Sequence, residues 1–181
     1  PKMGYNHDSD ITKFRGKYIV MWNANPDTTA ESQPGQYNYI SYSTDFINWS
    51  QPYKPFTSGA NAVNPIDFDS QWQPNFINYL DQTLFVAWMC KEKFYISKSN
   101  DGISWENMLV SPQYPQIFNG TNYRAFPGNH GLLTKSNDMI FPVCFIERSV
   151  GMNCPNVALF ISRDGGNTWH WSNITNSISI Q

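Results

Sequence analysis

The chain has 181 residues, enough for one domain, and 40% hydrophobic with 16% aromatic residues is ample for a packed core. Only 14% of residues are charged and the net charge is −2, so nothing in the composition favours nucleic acid or an anionic membrane surface. No apolar run approaches the length of a membrane span.

In chain order, residues 9–14 read as a strand that turns at Arg15-Gly16-Lys17 and returns along residues 18–22, a β-hairpin. A loop rich in Asn, Pro, Asp and Thr (23–36) leads to the alternating strand 37–42, which enters Ser43-Thr44-Asp45-Phe46-Ile47-Asn48-Trp49. The plan then repeats. Residues 75–79 pair with 84–88 across Asp81-Gln82, and strand 94–98 enters Ser99-Asn100-Asp101-Gly102-Ile103-Ser104-Trp105. A third unit runs 131–134, a polar turn at 136–138, strand 139–146, strand 157–161 and then Ser162-Arg163-Asp164-Gly165-Gly166-Asn167-Thr168-Trp169. The three tryptophans that close these turns, Trp49, Trp105 and Trp169, stand 56 and 64 residues apart, which is a repeat period.

In each turn the Asp accepts backbone N–H bonds and the Trp supplies an apolar anchor. No segment carries a sustained helical period. The expected fold is therefore all-β: a β-propeller segment of about three four-stranded antiparallel blades, at about 5–53, 72–110 and 128–176, with the Asp–Trp turn joining strands three and four. Three blades do not close a ring. Further blades from a missing part of the chain or from an associated subunit are the expected protein partner.

The third turn resembles the Asp-box (BNR repeat) of sialidase-like propellers, S-x-D-x-G-x-T-W, at every fixed position, and the two upstream turns are degenerate copies. The resemblance assigns Asp45, Trp49, Asp101, Trp105, Asp164 and Trp169 a structural role. It implies a carbohydrate partner and an enzyme or lectin activity without choosing among them.

Antiparallel order puts the Asp–Trp turns and first hairpin turns on one face. Loops entering each first strand then share the other face, around the central funnel. His7, Asp8 and Asp10 stand at that rim in the first blade, Trp72, Gln73 and Asn75 in the second, and Asn129 and His130 in the third. His170 follows the third turn and belongs to the opposite side. The loop 108–130 adds Asn119, Asn122, Tyr123 and Arg124, where an arginine can clamp a carboxylate and a tyrosine can stack on a sugar.

Three enzyme resemblances follow. A sialidase needs three arginines around the substrate carboxylate, but of four arginines here only Arg124 and Arg148 lie on the rim side. The run His7-Asp8-Ser9-Asp10-Ile11 followed by Gly16-Lys17-Tyr18 resembles the opening blade of five-bladed arabinanase-type glycosidases, which implies Asp10 as general base. The rim also resembles propeller polysaccharide lyases and rhamnosyl-glucuronate-cleaving enzymes. There His7 or His130 is the base or acid and Arg124 neutralises a uronate carboxylate, with Asp10, Gln73, Asn75, Tyr123 and Asn129 binding substrate.

The leading expectation is cleavage of an acidic glycan by histidine-based β-elimination. The alternatives are a hydrolase using Asp10 and a non-catalytic glycan-binding propeller. No cofactor motif is present, and rim Asp and His can hold a divalent metal although no ligand spacing identifies one. Cys144 and Cys154 can pair, leaving Cys90, or all three can be buried thiols. Three sequons, at Asn48, Asn119 and Asn173, fit a secreted or extracellular location.

Overall fold

The computed structural model describes residues 3–58, 61–64, 70–110, 113–114, 117–118, 121–128, 130–147, 156–173 and 175–176. These form β-strands in antiparallel pairings, with no helix among the described residues.

The first sheet has the order β1 (Tyr5–Phe14), β2 (Lys17–Asn25), β3 (Tyr37–Ser43). The turn Arg15-Gly16 has positive φ at both residues, the type I′ geometry that matches strand twist in a two-residue hairpin. The expected fourth strand is reduced to a single bridge, Ile40 with Tyr53. Pro52 and Pro55 flank Tyr53 and cannot donate to a ladder, which explains the loss. The second sheet is complete: β4 (Trp72–Tyr79), β5 (Thr83–Cys90), β6 (Lys93–Ser99) and β7 (Glu106–Leu109).

The third sheet departs from expectation at its inner strand. Pairing against β11 (Met139–Glu147) begins upstream of residue 131, with β9 (Thr121–Pro127), and resumes with β10 (Leu132–Leu133). A two-residue strand, β8 (Ile117–Phe118), forms a hairpin with β9. On its other side β11 pairs with β12 (Asn156–Ser162), which carries the short edge strands β13 (His170–Trp171) and β14 (Thr175–Asn176).

Strand alternation makes two cores between sheets. One lies between the first two sheets, where Phe14, Ile19, Met21 and Ile40 meet Phe76, Leu84, Val86 and Trp88. Trp88 is sandwiched between Phe56 and Tyr95, with centroids 4.3 and 4.7 Å away. The other lies between the second and third sheets, where Phe85, Ala87, Phe94 and Ile96 meet Met139, Phe141, Val143, Phe145 and Phe160. Trp169 of the third turn stacks on Phe160 and Phe141 at 5.1 and 5.6 Å.

The outward face of the first sheet repeats the second sheet's buried pattern. Ile11, Val20, Trp22 and Tyr39 occupy the registers that Phe76, Val86, Trp88 and Tyr95 occupy in the second. Trp22 stacks on Tyr39 at 6.2 Å, as Trp88 does on Tyr95, and Ile11 is 44% exposed.

All three Asp–Trp turns use the same bonds. The Ser hydroxyl donates to the Asp carboxylate at 2.9 Å in each (Ser43 to Asp45, Ser99 to Asp101, Ser162 to Asp164), and backbone N–H groups two to four residues on donate to the same carboxylate. Thr168, through its hydroxyl and its backbone N–H, brings Asp164 down to about 2. Partial desolvation pushes Asp101 up, but bonds from Ile103, Ser104 and Ser99 together hold it at about 2. Asp45 lies well below the usual carboxylate range, chiefly through Asn48.

A folded-state pKa below the unfolded value gives stability that is present above the unfolded pKa and is lost as pH falls through the folded one. The urea midpoint of the protein should therefore fall between about pH 4 and pH 2. The triple variant Asp45→Asn, Asp101→Asn, Asp164→Asn should start lower and show a flatter decline. An unchanged slope would assign the acid sensitivity to other groups.

Candidate active site

Each of the three inner strands breaks at the same level. In β1 the register with β2 shifts between His7 and Asp10, in β4 the register with β5 shifts between Trp72 and Asn75, and the third inner strand is interrupted between Pro127 and Leu132. Asp8 and Gln73 sit in the first two breaks at positive φ, 47° and 39°. Such bulges re-aim side chains at the ends of pairing. A cavity of about 170 Å³ opens where the three breaks meet, lined by Asp8, Ser9, Asp10, Gln73, Asn75, Gly128 and His130.

Asp10 is the junction of the three sheets. It accepts the Ile11 N–H at 2.8 Å from its own strand and the Phe76 N–H at 2.7 Å from β4. His130 Nδ1 approaches both of its oxygens at 2.8 Å. That bond raises the His130 pKa above its ordinary value against partial desolvation. Asn75 Nδ2 donates to the Gly128 carbonyl at 2.9 Å, and the Gly131 N–H donates to the Phe76 carbonyl at 3.1 Å. Backbone and side-chain bonds thus cross both boundaries between sheets at the cavity floor.

Asp8, two residues away, is in a different environment. Burial pushes its carboxyl above the usual range, opposed by a bond from His7 at 2.8 Å and one from Gln73. The Gln73 carbonyl oxygen is buried without a protein partner. One cavity therefore holds a carboxyl group whose pKa is raised by burial, a second carboxyl group surrounded by donors, and an imidazole whose pKa is raised by its bond to that second group.

Of the residues singled out in the sequence, Asp10, Gln73, Asn75 and His130 come together here. His7 stands behind Asp8, with its side chain 53% exposed, and also approaches Glu31 at 3.5 Å. Arg124 does not join the cavity lining: it pairs with Glu92 of the β5–β6 turn at 3.2 Å. Tyr123 is 7% exposed and packs in the second core, because the alternation along β9 turns it inward, and it offers no stacking face. Trp72 packs edge-on against Phe126. Asn129, Asn119, Arg148 and Cys154 lie outside the described residues. Glu31 and Gly128 were not singled out in the sequence: a lone glutamate in a long loop and a glycine contributing a carbonyl carry no local signal.

No family model matches the chain, and no curated protein matches it. Solved structures do. A Hadza microbial sialidase superposes with a TM-score of 0.73 at 15% identity over 94% of this chain and 38% of its own. Trypanosoma rangeli sialidase gives 0.70 at 12% identity, over 94% of this chain and 31% of its own. An α-L-arabinanase of Penicillium chrysogenum, complexed with arabinobiose, gives 0.52 at 15% identity, over 89% of this chain and 43% of its own. The chain therefore spans about a third of the length of the sialidases it matches. At these identities the likeness speaks for architecture alone: an all-β arrangement of antiparallel blades similar to those of the sialidase β-propellers.

Proposed function

We propose that the chain supplies the funnel-lining blades of a glycoside hydrolase, with Asp8 as proton donor and Asp10 as general base or charge-stabilising carboxylate. The observation that carries this reading is the pair itself. Two carboxyl groups on one strand break line one small polar cavity, and their surroundings differ as the acid and base of glycoside cleavage require. His130 and the backbone N–H of Phe76 fix the orientation of Asp10, while Asn75 and Gln73 present amides to sugar hydroxyls. The solved neighbours include sialidases and an arabinanase, all named as glycan-acting proteins, which supports the substrate class.

Histidine-based β-elimination fits less well. Nδ1 of both His7 and His130 is engaged by a carboxylate, and Arg124 is paired to Glu92 instead of awaiting a uronate. The uncovered face of the first sheet fits a further blade, from the same chain or an associated subunit. A disulfide at Cys144 supports an oxidising, extracellular location, while Cys90 is a buried thiol.

The test is to incubate the protein, with any chain that co-purifies, on a panel of neutral and acidic aryl glycosides and oligosaccharides, following reducing ends and absorbance near about 235 nm, where unsaturated uronates absorb. Reducing ends without absorbance are expected. Asp8→Asn should then lower kcat by about 10²–10⁴-fold on substrates whose leaving group needs protonation, and less on activated aryl glycosides. New absorbance, or binding without turnover, would overturn the hydrolase reading in favour of a lyase or a lectin.

A further inference from the structure

Behind the wall of the cavity lies a second constellation, of which the proposed hydrolysis uses only Asp8. His7 Nδ1, an Asp8 carboxylate oxygen and a Glu31 carboxylate oxygen all lie within 4.8 Å of one another. His7 and Asp8 come from the break in β1, and Glu31 from the loop joining β2 to β3. That loop is held firmly: the Asn25 amide donates to the Pro34 carbonyl at 2.9 Å, and Gln36, fully buried, accepts the Ser32 N–H at 3.0 Å and donates to the Gln71 carbonyl at 3.0 Å. Tyr5 orients the set from outside, donating to Glu31 Oε1 at 2.7 Å and stacking its ring on that of His7 at 5.9 Å. Such outer partners are typical supports of metal ligands.

A separate observation points the same way. Asn23 is the direct cross-strand neighbour of His7, so its side chain leaves the sheet on the same face. It is 0% exposed, and among the described residues neither its amide nitrogen nor its amide oxygen has a partner, as is true also of Asn38, its neighbour in β3. A buried amide costs about 1–3 kcal/mol when left unpaired, so an unsatisfied pair of atoms beside three convergent ligand groups calls for an occupant.

We propose that His7, Asp8 and Glu31 bind a divalent transition-metal ion, Zn²⁺ or Mn²⁺, with the Asn23 amide as a further oxygen donor or as the partner of a metal-bound water. One imidazole and two carboxylates suit these ions. Ca²⁺, which takes about six to eight oxygens, finds too few here. Metal ligands bind in their deprotonated forms, so binding strengthens as pH rises. Because Asp8 also lines the cavity, a bound ion stiffens that wall. Asp8 is also the proton donor proposed above, and a bound ion holds it ionised, so occupancy of this site and that role exclude one another.

The test is calorimetric titration of the chelator-treated protein with Zn²⁺, Mn²⁺ and Ca²⁺ separately at about pH 7.5, with Mn²⁺ binding also followed by electron paramagnetic resonance. One saturable site for Zn²⁺ or Mn²⁺ is expected, with Ca²⁺ much weaker. Glu31→Gln and His7→Ala should each weaken it at least about tenfold, as ligand loss does in metal sites. His170→Ala, on the opposite side of the sheets, should leave it unchanged. The two liganding variants need not both fold, since Glu31→Gln alone, in an exposed loop, decides the matter. No saturable binding, preference for Ca²⁺, or binding lost in His170→Ala but kept in Glu31→Gln would each overturn the proposal.

Discussion

Asp10→Asn should cost the folded protein about 3 kcal/mol, although it changes one atom and keeps the shape. Every recorded partner of the Asp10 carboxylate is a donor: the Ile11 N–H, the Phe76 N–H and His130 Nδ1. An asparagine must turn an NH₂ toward at least one of those backbone N–H groups. The side chain of Asp10 is only 12% exposed, so water cannot readily replace the lost acceptor. The loss falls on the contacts joining the three sheets, and the midpoint of urea unfolding should report it directly.

The same variant has a second signature. His130 is raised by Asp10, and a group whose folded pKa lies above its unfolded value contributes stability that is complete below the unfolded pKa, about 6.5, and fades as pH rises through the folded one. Wild-type stability should thus decline from about pH 6.5 upward, by an amount moderated by solvent because His130 is half exposed. Asp10→Asn should remove that decline, and the His130 ring protons should titrate at lower pH in nuclear magnetic resonance spectra. A variant as stable as wild type, with His130 titrating as before, would mean that Asp10 is not the junction described.

The repeat was legible because its signal is local. Ser, Asp and Trp recur at short fixed spacing, and the turn needs only bonds within seven or eight residues, as Ser162, Asp164 and Thr168 show. The rim was legible in part, since antiparallel order alone brings residues 7–10, 72–75 and 130 to one end. What the sequence hid were pairings set by distant geometry. Arg124 reads as a substrate clamp until Glu92 is seen beside it, and Tyr123 reads as a platform until the inner strand is found to start at Thr121, which turns its ring into the core. The fourth strand of the first sheet failed for a reason that was written in the sequence, the two prolines around Tyr53.

Gly166→Ala should destabilise the protein by about 2–4 kcal/mol, from two sources that can be separated. Gly166 has φ +89°, a conformation in which a Cβ is strained, and an added Cβ would lie 2.4 Å from Phe85 Cζ and 3.3 Å from Met139 Cε. Phe85 is 2% exposed and is itself wedged against Tyr79 and Trp169, so the ring cannot swing clear without disturbing the packing between the second and third sheets. Gly16 supplies the control: its φ is +77°, but a Cβ there meets nothing within 4 Å. Gly16→Ala should therefore show backbone strain alone, about 1 kcal/mol. The excess at Gly166 measures the packing overlap. It should shrink in Gly166→Ala combined with Phe85→Leu, where the ring edge is gone, relative to Phe85→Leu by itself. Equal costs for Gly16→Ala and Gly166→Ala in urea unfolding would show that the third Asp–Trp turn is not seated against the second sheet as described.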